Sequence, residues 1–170
     1  MDDIRLFIKK NAITKTRLII KYNDDHTSFD YKVNGVNFIL KEFLNEDNDS
    51  YIHLVLNNKT YDNFNDIQLI LFELFDYKNI EYIDVYLKKI VENKQLLLTD
   101  FYNDYYDDFN DKLICTRRIY KENDEIAKLK FVVSEKTNIN LYYKDETISG
   151  IDEIITKINF ILNNNYLLKP

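Results

Sequence analysis

Residues 28–40 read Ser28-Phe29-Asp30-Tyr31-Lys32-Val33-Asn34-Gly35-Val36-Asn37-Phe38-Ile39-Leu40. Apolar and polar residues alternate on both sides of Asn34-Gly35, a period of two that belongs to half-buried strands. Asn-Gly suits a two-residue type I′ turn, because both central positions need positive φ. That turn sets the register: Val33 opposite Val36, Tyr31 opposite Phe38, Phe29 opposite Leu40. All six side chains then share one face, which must be the buried one. The chain is thereby committed to antiparallel sheet.

Working outward, residues 16–22 form a preceding strand with Leu18, Ile20 and Tyr22 on one side, and residues 23–27 form its connecting loop. Residues 51–56 read as a further strand before a tight turn at Asn57-Asn58-Lys59. Phe64, Ile67, Leu71, Leu74 and Phe75 fall at helical spacing, with Asp62 as the expected N-cap. A second helical pattern follows at Ile80, Ile83, Leu87, Ile90 and Val91. A third runs through Leu98, Phe101, Tyr102, Tyr105 and Phe109. Residues 113–120 and 126–133 read as a hairpin, and Ile139, Leu141 and Tyr143 as one more strand. Ser149 with Asp152 three residues on suggests a short capping box for a last helix. Its stripe is Ile151, Ile154, Ile155, Ile158, Ile161 and Leu162.

The expected class is therefore α+β, an antiparallel meander with helices on one face. A weak repeat at an offset of 87 residues aligns Ile52 with Ile139, Leu54 with Leu141, Thr60 with Thr147, Asp66 with Glu153 and Ile67 with Ile154. Two explanations compete: an old duplication, or one supersecondary unit used twice. The organisation expected is one domain over 1–170, with β-meander-plus-helix halves at 14–77 and 112–165 linked by an acidic helical segment, 78–111.

Composition bounds the rest. The 170 residues are 45% hydrophobic and 31% charged, with two Gly, one Pro and one Cys. A core is within reach and the chain is not disordered by composition. Ile, Asn, Lys, Tyr and Asp abound, all with AT-rich codons, which fits a low-GC bacterium or its mobile elements. Cys115 is alone, no apolar run is long enough to cross a membrane, and the first residues do not resemble a secretory leader. A cytoplasmic protein with no membrane contact is expected.

Recognisable catalytic and cofactor patterns are missing. No Gly-x-Ser-x-Gly elbow and no glycine cluster for phosphates occur. Two His and one Cys cannot make a four-ligand zinc site. Asn45-Glu46-Asp47-Asn48-Asp49-Ser50 starts like a calcium loop, but Ser50 and Leu56 stand where Gly and Glu are needed. Cys115, inside a strand pattern, reads as a buried, inert thiol. No enzyme, no cofactor and no metal is expected.

Charge is the remaining signal. Residues 1–22 carry six cations against two carboxylates, whereas residues 42–111 carry five against sixteen. Within the acidic part lies Asp100-Phe101-Tyr102-Asn103-Asp104-Tyr105-Tyr106-Asp107-Asp108-Phe109-Asn110-Asp111. Drawn as a helix, it places aromatics on one side and acids on the other. The plainer account is a core face and a solvated face. The functional account is a docking surface for a basic partner built from Asp100, Asp104, Tyr105, Tyr106, Asp107, Asp108 and Asp111. The expected protein is a non-enzymatic inhibitor or immunity-type protein, a nucleic-acid mimic or phage anti-defence factor. It would block a basic partner such as a nuclease, as monomer or homodimer. The alternatives are a structural or assembly protein and, third, an enzyme using carboxylates at a site no motif marks. Direct nucleic-acid binding is not expected from an acidic chain.

Overall fold

The computed structural model describes residues 1–47, 49–100, 103–135 and 138–168, with side chains placed through residue 163. The chain divides into two compact units, Met1–Tyr77 and Lys78–Pro170.

The first unit runs α1 (Asp2–Asn11), β1 (Arg17–Tyr22), β2 (His26–Val33), β3 (Val36–Leu44), β4 (Ser50–Leu56), β5 (Lys59–Tyr61) and α2 (Phe64–Leu74). Its five strands pair antiparallel in chain order. The β2–β3 register pairs Val33 with Val36, Tyr31 with Phe38 and Phe29 with Leu40, as the Asn-Gly turn requires. Asn34 and Gly35 sit at φ 52° and 79°. Asn34 does more than turn the chain. Its Oδ1 accepts from the backbone N–H groups of Ile13 and Thr14 at 3.0 and 3.2 Å, tying the hairpin to the segment after α1.

Phe29, Tyr31, Phe38, Leu40, Ile52 and Leu54 form one buried face, covered by Ile4 and Ile8 of α1 and by Ile67 and Leu71 of α2. α1 was not anticipated from the sequence. Its signals are the Ile4/Ile8 pair at i, i+4, acids in the first turn and lysines in the last, which complement the helix dipole. α2 is capped by Asn63 rather than Asp62: the Asn63 side chain accepts from the Asp66 N–H at 3.1 Å, the usual Ncap-to-N3 bond.

The second unit runs α3 (Ile80–Asn93), β6 (Leu97–Thr99), β7 (Tyr105–Asp107), β8 (Lys112–Lys121), β9 (Asp124–Ser134), β10 (Asn138–Tyr143), β11 (Glu146–Ser149) and α4 (Ile151–Leu168). The sheet order is β11-β10-β9-β8-β6, with β7 pairing only to β8. Ile154, Ile158, Ile161 and Leu162 of α4 and Ile83 and Leu87 of α3 cover Phe131, Ile139 and Leu141. Each unit is thus an antiparallel meander with its two helices packed into one core. Set aside β7 and both read helix, five strands in chain order, helix. The capping box assigned to Ser149 is not made: the Ser149 hydroxyl donates to Asn140 Oδ1 at 2.6 Å, and Gly150, at φ 90°, turns the chain into α4.

The largest departure lies at residues 98–109. Where the aromatic spacing predicted a third helix, the described residues form β6, β7 and a turn over 108–111. Asp and Asn occupy seven of the twelve positions in 100–111. Such side chains compete for the backbone and favour turns over helix interiors. Asp100 takes φ 80° and Asp111 takes φ 55°, which ends any helix at both places. The described residues of segment 78–111 are therefore α3, where the second helical pattern was expected, and two short strands in place of the third.

Replacing Gly35 with Val places a β-branched residue at positive φ and should cost about 1–3 kcal/mol in urea unfolding. Gly35→Asn, which tolerates that region, should cost clearly less. Equal stabilities for the two variants would contradict the turn.

Candidate functional site: an acidic aromatic hairpin on a buried arginine

β7 and the first residues of β8 form a hairpin, with Tyr105, Tyr106 and Asp107 opposite Ile114, Leu113 and Lys112. Its tip, Asp108 to Asp111, is held by Asp107. The Asp107 Oδ1 accepts from the Phe109 and Asn110 N–H groups at 3.1 and 3.3 Å, and Oδ2 accepts from the Asn110 amide at 2.8 Å. That side-chain bond holds the Asp107 carboxyl below its ordinary value, so it stays charged near neutral pH.

The base of the hairpin is an ionic clamp. In β8, Cys115, Arg117 and Ile119 alternate onto the buried face, and Arg117 is 1% exposed. Its Nε and Nη2 donate to the two carboxylate oxygens of Asp84, on α3, at 2.8 and 3.0 Å. Nη1 and Nη2 donate to the carboxylate oxygens of Asp104 at 2.5 and 2.8 Å, and Nη1 also reaches the Thr116 carbonyl at 3.1 Å. All five guanidinium N–H groups are thereby used. Burial alone would lower the Arg117 pKa; the bonds to Asp104 and Asp84 outweigh it and drive the pKa up, so the charge is permanent. On the opposite face of β8, Arg118 Nε lies 2.7 Å from Asp100 Oδ2 and 3.6 Å from Glu125 Oε1. Asp100 and Asp104 bracket residues 101 and 102, which lie outside the described residues. The two arginines thus pin the start of the hairpin segment.

This sorts the residues singled out from the sequence. Asp100 and Asp104 are occupied within the fold. Asp107 shapes the turn. Tyr105, Tyr106, Asp108 and Asp111 face solvent. Tyr105 and Tyr106 are 57% and 53% exposed, on opposite faces of a strand; the helical drawing puts Tyr105 on the aromatic side and leaves Tyr106 exposed at its edge. Phe109, assigned to a core stripe by the helical drawing, is 95% exposed at the tip. Sequence reasoning missed Arg117. Its signal was a charged residue at a buried parity position, between Cys115 and Ile119.

The clamp is not a reaction centre: an arginine with all its donors used has none left for a ligand. Among the described residues no group of three or more His, Cys, Asp or Glu could hold a metal ion. In the loop that starts like a calcium site, Asn45 Oδ1 accepts from the Asp47 and Asp49 N–H groups; Asn48 lies outside the described residues. Comparison with protein-family models, curated proteins and solved structures finds no match to this chain.

Burial, reinforced by the nearby Asp104 charge, pushes the Cys115 thiol from 9.0 up to about 12. A raised folded pKa keeps the full contribution below the unfolded value and loses it as pH rises. Urea stability should therefore fall between pH 9 and pH 11 more steeply for the native chain than for Cys115→Ala. Parallel pH profiles would contradict the buried thiol.

Proposed function

We propose that this chain is a non-enzymatic binding protein whose acidic aromatic hairpin docks on a basic surface of another protein. It would act as an inhibitor or immunity-type protein of bacterial or phage origin. The observation that carries the reading is the pairing of exposed Tyr105, Tyr106 and Phe109 with exposed Asp108 and Asp111 on one anchored hairpin. Exposed aromatics beside charge are costly to keep in water and typical of contact surfaces. Anchoring supports the same reading, because a preorganised loop loses less entropy on binding.

The plan of the two units adds a second support. Both follow helix, five-stranded meander, helix, and at the 87-residue offset buried Leu54 matches Leu141 and buried Ile67 matches Ile154. We read the units as duplicated halves. β6 and β7 together pair along β8 where β1 pairs along β2, so the hairpin is an elaborated edge strand, and an elaborated, exposed edge is where a new contact would be built. A nuclease or other nucleic-acid-binding protein is the partner class that presents a matching basic cleft. An acidic surface meeting it raises the association rate and loses force as salt screens it. The competing reading, an assembly protein, draws on the same exposed rings and predicts self-association.

Asp108→Asn with Asp111→Asn should leave the melting temperature within a few degrees, since both side chains are exposed. The same pair should abolish most of the salt dependence of partner capture. Tyr105→Ala, Tyr106→Ala and Phe109→Ala together should weaken affinity at least about thirtyfold if the rings are hot spots. A partner retained equally by both variants would refute the reading. Dimers or larger species in light scattering that vanish in the ring variant would favour assembly.

A further inference from the structure

The face of the first sheet opposite its helices is open and carries a charge of the other sign. Register and burial place Arg17, Ile19 and Lys21 of β1, His26, Ser28, Asp30 and Lys32 of β2, Asn37, Ile39, Lys41 and Phe43 of β3, and Tyr51, His53 and Val55 of β4 on this face. Residues 1–77 hold nine Lys and Arg against thirteen Asp and Glu, so the unit as a whole is acidic. Yet the strands bring four of those cations to this face with one carboxylate, Asp30, which pairs with Lys21 at 3.2 Å; Asp25, from the turn before β2, adds a second, held at 2.6 Å by His26 Nδ1. Arg17 and Lys32 stand directly opposite each other across β1 and β2. Like charges so placed are destabilising in isolation. They border a trough of about 630 Å³ floored by Ile19, Ile39 and Val55 and edged by the amides of Asn37 and Asn57 and by the Asp30 carboxylate.

At the other end of the same face the rings gather. Phe43 stacks on Tyr51 with centroids 5.1 Å apart and planes 8° apart. His26 and His53 flank Phe43 at 5.0 and 4.8 Å. Both histidines of the chain, 27 residues apart in sequence, thus share one row. β5 extends along β4 only as far as Leu54, so Tyr51 has no strand on its outer flank and is 48% exposed.

The geometry points to a binding surface for single-stranded nucleic acid on this open face. Cations along the sheet take the phosphates, the trough with its amides takes one base, and Tyr51 lets another base continue the aromatic row. Cationic grooves interleaved with aromatic rings are the general means of holding single strands, and a sheet face accommodates two or three stacked bases. An acidic peptide would satisfy the cations but gain little from the row of rings. A duplex, with its bases already stacked, could not use the rings at all. The acidic total of the chain argues against such contact only when charge is evenly spread, and here the strands place four cations and one carboxylate on this face, the other acids of the unit lying in its helices, loops and edges. The surface lies on a different unit from the β7 hairpin and does not depend on the hairpin's role.

Fluorescence anisotropy with labelled dT12, the corresponding dT12·dA12 duplex and a twelve-residue polyglutamate tests this on the full chain at 50 mM salt. The single strand should bind, and at least about tenfold tighter than duplex or peptide, since each base stack is worth about that much. Lys32→Gln with Lys41→Gln should weaken binding on the order of tenfold and lower its salt dependence, and Tyr51→Ala should weaken it without changing the salt dependence. If the double variant fails to fold, Lys32→Gln alone, at a solvent-exposed position, carries the same comparison. No binding of dT12, equal binding of polyglutamate or duplex, or folded variants that bind like the native chain would each overturn the proposal.

Discussion

The placing of the hairpin in the second unit depends on one buried cation. Taking the Arg117 guanidinium out of water costs several kcal/mol, and the cost is offset only where geometry and hydrogen bonding are complete. Completeness is achieved with groups from three places: Asp84 on α3, Asp104 at the root of the hairpin and the backbone carbonyl of Thr116. A lysine could not do this, since its ammonium offers three donors in place of a planar fork fitting two carboxylates side by side. A buried ion triad of this kind is weak evidence for stability and better understood as a device for position. It fixes where the hairpin leaves the sheet.

Position matters because the hairpin has little else to hold it. β7 is three residues long and pairs only with β8. Its side chains include none of the fully buried residues of the unit. A short hairpin with an exposed aromatic tip would ordinarily fray. The clamp at Asp104 and the turn made by Asp107 replace the missing apolar core with directed polar bonds, and the ion pair of Arg118 with Asp100 adds a charge contact. The carboxylates most prominent in the sequence thus divide into those that build the element and those that it presents.

The sequence was most legible where local chemistry has one solution. Asn34-Gly35 admits one tight turn, and the turn carries the register of a whole sheet with it. The isoleucine stripe of α4 is similarly direct, because four of its positions reach zero to 3% exposure. Legibility failed where two patterns coincide. The aromatics of 101–109 repeat at helical spacing, but the Asp and Asn residues between them favour turns, and Asp104 is claimed by an arginine thirteen residues away. α1 was passed over because its apolar stripe is short. The open face of the first sheet was hidden for a different reason: Arg17, Lys32 and Lys41 come from separate strands, and summed charge cannot show which side of a sheet it lies on.

Hydrogen exchange of the β7 amides tests most directly whether Arg117 positions the hairpin. Asp104→Asn removes one carboxylate while the bidentate pairing of Arg117 with Asp84 remains. In this variant the amides of Tyr105, Tyr106 and Asp107 should exchange at least about tenfold faster, as expected when a locally stabilised element opens by itself. Amides of β9 and β10 should keep their native protection, and Asp108→Asn should change neither set. Unaltered β7 protection in Asp104→Asn would show that the hairpin stands without the arginine, and would contradict this account.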